Sequence, residues 1–420
     1  MLTKLKRFVF HGDFINIFSA SIINKFVTFA SNIILVRILS KADYGVYSYA
    51  YNIIAFILIV AGLGIPSGLL QILSENFNNK EQINKIYKYG SKVACNTNII
   101  LAGLVLLVAL FFPLKIAEAQ KIIMSMMLFP FFMTLYSLQI TYLRSFLMTK
   151  EYAISNNINT VLISIFTLLG AYYGNVYGIV IGRYIAYAIS IISISKLFHI
   201  PFYSNKDTIK SCHKKELLKI SLISVANNGI SELLYLLDIF IIGIVIADQE
   251  VIASYKVATT IPSALIFIPS VVVTYIYPYF AQNKDNTKWL KDKYKQLVFC
   301  MSLVNLIVIF PLLIFSKQII QMFFGNNYQD AIPIFRILLI NYFISGTFRI
   351  ISGNILVTQR QLKFNFYVAL FSGLINLFGN IIFISRWGAI GATFTTVLVV
   401  IVSSYMSTYR VYKIIYKERC

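Results

Sequence analysis

The chain has 420 residues, 58% of them hydrophobic and only 13% charged, with a formal net charge of +21. A soluble chain of this size carries about 25% charged residues and divides into two or three cored domains. Here apolar runs recur at roughly bilayer length, which excludes a soluble protein, and no polar stretch is long enough for the basic charge to build a nucleic-acid-binding domain.

Taken in order, the runs predict about twelve spans: 14–36, 45–74, 89–112, 122–144, 154–174, 176–198, 217–247, 251–281, 296–316, 331–357, 364–385 and 388–410. All read as helices, because backbone amides in lipid find partners only within a segment or in a closed barrel, and the runs lack a barrel's ten-residue alternation. The first run carries Lys25 at its centre and no small-residue cleavage site, so it is not expected to be a cleaved signal. With the N-terminus inside, the inner loops hold 26 Lys and Arg and the outer loops six, which predicts cytoplasmic termini. Cys95, Cys212, Cys300 and Cys420 fall on or near the cytoplasmic side and are expected as thiols. His11, His199 and His213 have no ligand spacing, and no metal site is expected.

One long polar connection, 199–216, divides the chain into an N-terminal lobe (1–198, spans one to six) and a C-terminal lobe (217–420, spans seven to twelve). The halves show a faint repeat. Tyr47 to Ile53 lies over Tyr255 to Ile261 at an offset of 208, Leu147-Met-Thr149 over Leu356-Val-Thr358 and Asn156 over Asn365 at 209, and Tyr177-Gly178 over Trp387-Gly388 at 210. A parallel repeat of this kind predicts an axis along the membrane normal and a substrate site between the lobes.

Charges inside spans are expensive and ask for a reason. Five are cations, Lys25, Arg183, Lys256, Arg336 and Arg349, and two are acids, Glu232 and Asp238 in span seven. The surplus of cations suits an anionic ligand such as a phosphate or pyrophosphate, gripped by Arg in a fork and by Lys as a point charge. Lys25, beside Asn24, and Glu232 lie near the midpoints of their spans, where snorkelling is hard; an ion pair between them is the competing reading. Lys256 and Arg336 lie within a turn or two of the outer surface and could snorkel. Asp238 either braces a helix break or joins Glu232 as a candidate for a coupling proton or sodium ion. Gly62-Leu-Gly-Ile-Pro-Ser-Gly68 in span two, with Pro66, and Pro262 and Pro269 in span eight mark candidate hinges. No phosphate-binding Gly-x-x-x-x-Gly-Lys-Ser/Thr loop is present, and the loops are too short for a catalytic domain.

Arg37-Ile-Leu-Ser-Lys-Ala-Asp-Tyr-Gly-Val-Tyr47 resembles the junction of spans one and two in bacterial polysaccharide-transport flippases. Leu237-Asp238, Ile241-Ile-Gly243, Ala253-Ser-Tyr255 with Ala258, Phe323-Phe-Gly325 with Tyr328 and Ala331, and Gly388-Ala-Ile-Gly-Ala392 are similar to later landmarks of the same family. The resemblance covers the whole chain through degenerate motifs. It implies an O-antigen (Wzx-type) flippase of the multidrug/oligosaccharidyl-lipid/polysaccharide (MOP) exporter superfamily: two six-helix lobes around a central cavity, moving undecaprenyl-pyrophosphate-linked oligosaccharide across the inner membrane by alternating access. On that reading the protein is not an enzyme and needs no cofactor beyond a coupling H+ or Na+. Its partners are the lipid-linked oligosaccharide, membrane lipids, and a polysaccharide polymerase or chain-length machinery. Rival readings are a cation-coupled drug exporter of the same superfamily and a membrane glycosyltransferase or polymerase.

Overall fold

The computed structural model describes residues 12–75, 80–111, 113–200 and 211–416. The described residues are helical, and they pack as two compact units, Met1–Leu236 and Leu237–Cys420. The expected boundary was the polar connection 199–216, of which 201–210 lie outside the described residues. The units divide later, inside a helix, because the N-terminal half of span seven packs on the first unit: Leu217 belongs to that unit's core with Ile65, Leu69, Leu73, Ile83 and Leu138.

In the first unit, α1 (Gly12–Ile38) is followed by α2 (Lys41–Val60), whose N-terminus is capped by Ser40 accepting from the Asp43 amide at 3.0 Å. Span two then breaks in a 3₁₀ turn (Ala61–Gly64) before α3 (Ile65–Glu75). Next come α4 (Lys80–Phe111), the bent pair α5 (Ala117–Ser125) and α6 (Phe129–Ser145), and α7 (Thr149–Phe198). Helix α8 (Ser211–Val245) passes from the first unit into the second. There follow α9 (Gln249–Leu265), α10 (Phe267–Gln282), α11 (Thr287–Ile314), α12 (Ser316–Phe324), α13 (Ala331–Ile344), a π-turn (Ser345–Arg349), α14 (Ile350–Thr358) and α15 (Leu362–Tyr416). Val273, Phe280, Leu290, Tyr294, Ile351, Ile355 and Val411 form a core cluster of this unit.

Eight helical runs among the described residues are long and apolar enough to cross a membrane, nine if the α5–α6 pair, bent by 44°, is one span. Two of the runs, α7 and α15, have 50 and 55 residues. At 1.5 Å per residue each would be well over twice the thickness of a hydrocarbon core, so each must turn back. The turn in α7 is at Gly174–Asn175, and that in α15 is at Gly388, whose φ of 61° and ψ of −142° glycine adopts at least cost; Asn175 takes nearly the same conformation, with φ 52° and ψ −137°. Glycines then let the arms touch: a Cβ on Gly178 would stand 2.0 Å from the Gly170 carbonyl oxygen, and one on Gly391 2.0 Å from that of Phe383. With these hairpins divided and α8 included, each of the twelve expected spans has its helix.

The hairpins also correct the register of the repeat. The offset of 208 holds for spans two and eight, whose N-caps are Ser40 and Asp248. Further on it is 213, not 209 or 210. Leu147 and Arg360 share a left-handed φ, the Met148 amide donates to the Leu143 carbonyl as Gln361 does to Leu356, and the turn at Asn175 recurs at Gly388. The short matches at 209 and 210 were therefore chance.

Candidate functional site

Within the second unit, Asp238 is 8% exposed. Its Oδ2 accepts from Tyr255 Oη at 2.6 Å and Thr396 Oγ1 at 2.8 Å, and its Oδ1 from Asn380 Nδ2 at 2.7 Å and Asn376 Nδ2 at 3.3 Å. Local structure makes this convergence possible. Asn376 and Asn380, four apart, share one face of the first arm of α15, and the reversal at Gly388 brings Thr396 back alongside them. All four donors are neutral, and no cation among the described residues pairs with the acid. The donors meet the lone pairs but leave a buried negative charge without a counter-charge. Asn380 Oδ1 is itself buried without a partner. Rotation of both amides would turn the Asn376 and Asn380 oxygens toward the carboxylate and leave one amide donating to the other, an all-oxygen set suited to a hard monovalent cation.

Within the first unit, Arg183 lies on aromatic rings. Its guanidinium carbon is 4.8 Å from the centroid of Tyr51 and 5.7 Å from those of Tyr47 and Phe129. Tyr47 and Tyr51 are one helical turn apart on α2, and Tyr184 Oη donates to the Ser125 carbonyl at 2.8 Å, tying the second arm of α7 to α5. Such contacts reach about 2 kcal/mol each when desolvated. Arg183 Nε is buried with no acceptor, and no carboxylate among the described residues pairs with the side chain.

The remaining expected residues are more dispersed. Lys25 and Glu232 are both exposed, and no ion pair joins them. Asn24 is half-buried, with its Oδ1 buried and unpartnered. Lys256 follows Tyr255 by one residue and is half-buried, and Arg336 donates from Nε to Ser316 Oγ at 2.6 Å. Arg349 closes the π-turn, beside the network in which Tyr342 Oη donates to Asn305 Oδ1 at 2.7 Å and Asn305 Nδ2 to Thr347 Oγ1 at 3.0 Å. Of the candidate hinges, Pro262 lies inside α9 and Pro269 near the start of α10, so they bracket the break in span eight. Pro66 sits just after the break in span two, which is made by left-handed Gly62, Leu63 and Gly64 and by the Gly62 amide donating to Asn98 Oδ1 at 2.9 Å. A cavity of about 260 Å³ opens there, lined by Leu58, Pro66, Ser67, Thr134, Ser137 and Ser224 among others.

Sequence reasoning missed Asn376, Asn380 and Thr396 as partners of Asp238, and it read Tyr255 only as a landmark of the repeat and of the family. The available signal was the pair of amides four apart in an otherwise apolar helix, which is costly in lipid without a partner.

The model of one family, described as polysaccharide biosynthesis protein, matches residues 34–333. The chain belongs to that family. A curated relative, the lipopolysaccharide biosynthesis protein WzxC of Escherichia coli (strain K12), is 23% identical over 157 residues, which is 37% of this chain and 30% of that protein. The chain thus aligns with under a third of that relative's length. Among solved structures, the lipid II flippase MurJ in an inward closed conformation superposes with a TM-score of 0.73 at 18% identity, covering 95% of this chain and 87% of MurJ. An inward-facing multidrug resistance MATE family transporter of the MOP superfamily gives 0.73 at 11% identity, covering 94% and 96%. This member of the polysaccharide biosynthesis family is therefore a multi-pass, all-α membrane protein with the fold of MOP transporters, as the sequence motifs implied.

Proposed function

We propose that the protein is a flippase that carries undecaprenyl-pyrophosphate-linked oligosaccharide units from the cytoplasmic to the periplasmic leaflet of a bacterial inner membrane. It works by alternating access, with both termini in the cytoplasm, and catalyses no covalent step. Family membership and the names of the flippases it resembles support the substrate class. The observation that carries the mechanism is Asp238, a buried acid met by four neutral donors and no counter-charge. Binding of Na+ or H+ there neutralises the site and couples the conformational cycle to the ion gradient. Lys25, Arg183 and Arg349 supply positive charge for the pyrophosphate, with Lys256 and Arg336 nearer the outer exit. Product units pass to a polysaccharide polymerase or chain-length machinery.

The test is a deletion strain with no redundant flippase. Lipid-linked repeat units should accumulate on the inner leaflet, and wild type but not Asp238→Asn should restore surface polysaccharide. Intact surface polysaccharide after deletion would sink the proposal. Because a MATE transporter matches this fold as well as MurJ does, drug export is the second reading. New drug sensitivity with intact surface sugar would favour it.

A further inference from the structure

The break in span two leaves polar groups without partners. Left-handed Gly62, Leu63 and Gly64 interrupt the helix, and Pro66 carries no amide hydrogen, so the backbone there falls short of a continuous helix's hydrogen bonds. In a membrane such a break is tolerated where protein buries it or where it lines a wet cavity. Here it lines one of about 260 Å³, walled by α2, α3, α6 and α8 within the first unit. The walls are closely held. A Cβ on Gly62 would stand 2.7 Å from Thr134 Cγ2, and one on Gly64 2.5 Å from Val225 Cγ2.

Four hydroxyl side chains line the cavity: Ser67, Thr134, Ser137 and Ser224. None of the four makes a hydrogen bond to another described residue. Hydroxyls in apolar helices ordinarily bond the carbonyl one turn back, as Ser74 Oγ does with Leu70 at 2.6 Å and Thr97 Oγ1 with Val93 at 3.0 Å. No charged residue lines the cavity, so it offers an anion no counter-charge and a cation no carboxylate. Its volume is that of about nine waters at roughly 30 Å³ each, far more than one ion needs and short of the roughly 300–1,000 Å³ that hold drug-sized molecules. A wholly apolar ligand would take water from the hydroxyls without replacing its hydrogen bonds. What fits is a small neutral molecule with several hydroxyls and an apolar face for Leu58 and Met133, which describes a single sugar ring.

We propose that this cavity binds one neutral sugar ring of the transported oligosaccharide, with Ser67, Thr134, Ser137 and Ser224 as its hydrogen-bonding partners. The inference rests on the flippase reading above and gives the glycan a station of its own, apart from any charge in the membrane. Walls fixed in advance keep the ordering cost of binding low.

Thiol protection of the full-length protein, in cells and in membranes made from them, tests it. The four native cysteines are replaced by serine, Ser137→Cys places a reporter in the cavity, and Ser385→Cys on the exposed side of α15 is the control. One probe is the mixture of neutral monosaccharides released by acid hydrolysis of the strain's own surface polysaccharide. The other is the lipid-linked unit itself, compared between cells that make it and cells lacking the first glycosyltransferase. A saturating probe should slow methanethiosulfonate labelling of the Ser137→Cys thiol about tenfold by mass action and leave the control unchanged. Protection by both probes assigns recognition to the ring alone, and protection by the lipid-linked unit only assigns it to the ring on its lipid. Adding Ser67→Ala and Ser224→Ala should leave the thermal midpoint in place, because neither hydroxyl has a described partner to strand, yet raise the probe needed for half-protection at least tenfold. Labelling that neither probe slows, equal slowing of the control, or protection that survives the two alanines overturns the proposal. If Ser137→Cys does not fold, Ser224→Cys reports from the α8 wall, with Ser67→Ala and Ser137→Ala as the paired removal. Intact surface polysaccharide in the deletion strain, together with protection by the free sugars, would sink the flippase reading and leave the cavity. Lost polysaccharide without protection would do the reverse.

Discussion

Asn380 and Asp238 are 142 positions apart in the chain, yet the amide of one donates to the carboxylate of the other at 2.7 Å. They meet because α15 holds Asn380 against the second-unit part of α8, while its reversal at Gly388 presents Thr396 to the same acid. The shape of these two helices therefore determines which groups join Tyr255 of α9 around this acid.

Asp238→Ala should cost more stability than Asp238→Asn. The alanine strips four buried donors of their acceptor, and each stranded group costs about 1–3 kcal/mol unless water enters. The asparagine keeps the volume and one carbonyl acceptor. Denaturant or thermal unfolding in one detergent should rank wild type, Asp238→Asn and Asp238→Ala in that order, with transport lost in both variants.

The hairpin of α7 offers a paired test on two glycines. A Cβ at Gly178 overlaps the Gly170 backbone, whereas one at Gly174 meets nothing within 4 Å. Gly178→Ala should force the arms apart and cost about 1–3 kcal/mol by overpacking. Gly174→Ala should stay within about 0.5 kcal/mol, like other open surface positions. Equal effects on the thermal midpoint would mean that the arms do not pack as described.

Tyr342→Phe removes the donor to Asn305 Oδ1 in a fully buried network beside the π-turn. A loss of about 1–3 kcal/mol is expected for the stranded acceptor. Asn305→Ala should lose more, because Tyr342 and Thr347 are then both unpaired. Unfolding of the single variants and of the double variant, as a thermodynamic cycle, checks the coupling.

In span two, Asn98→Leu should disturb the break more than Pro66→Ala. The Gly62 amide loses its acceptor in the first variant, at about 1–3 kcal/mol. Pro66 sits in the first turn of α3, where a proline gives up no helix hydrogen bond, so its replacement should cost less than about 1 kcal/mol. Transport should follow the same order if motion at this break matters to the cycle.

Some of this was legible in the residues alone. Hydropathy summed along single helices revealed the twelve spans, and it made Arg183 and Asp238 conspicuous by their cost. Motif resemblance revealed the family. The repeat was visible at Tyr47 and Tyr255, but its register beyond span two was misread by three or four residues, because isolated matches such as Asn156 with Asn365 carry no geometric constraint. The glycine and proline stretch Gly62–Gly68 marked the break in span two, but not that left-handed Gly62, Leu63 and Gly64 and the Asn98 side chain make it.

By itself, then, the sequence determined that this is an all-α, multi-pass membrane protein of a polysaccharide family with charges buried at a cost. Only the tertiary structure decided which polar groups meet: Asp238 with Tyr255, Asn376, Asn380 and Thr396, and Arg183 with three aromatic rings instead of an acid. The physical reason is one of range. Burial in lipid is a local property that each span carries in its own composition. Which faces touch is set by a few backbone approaches, such as Gly170 on Gly178, and by turns at single residues, neither of which leaves a periodic trace in the chain.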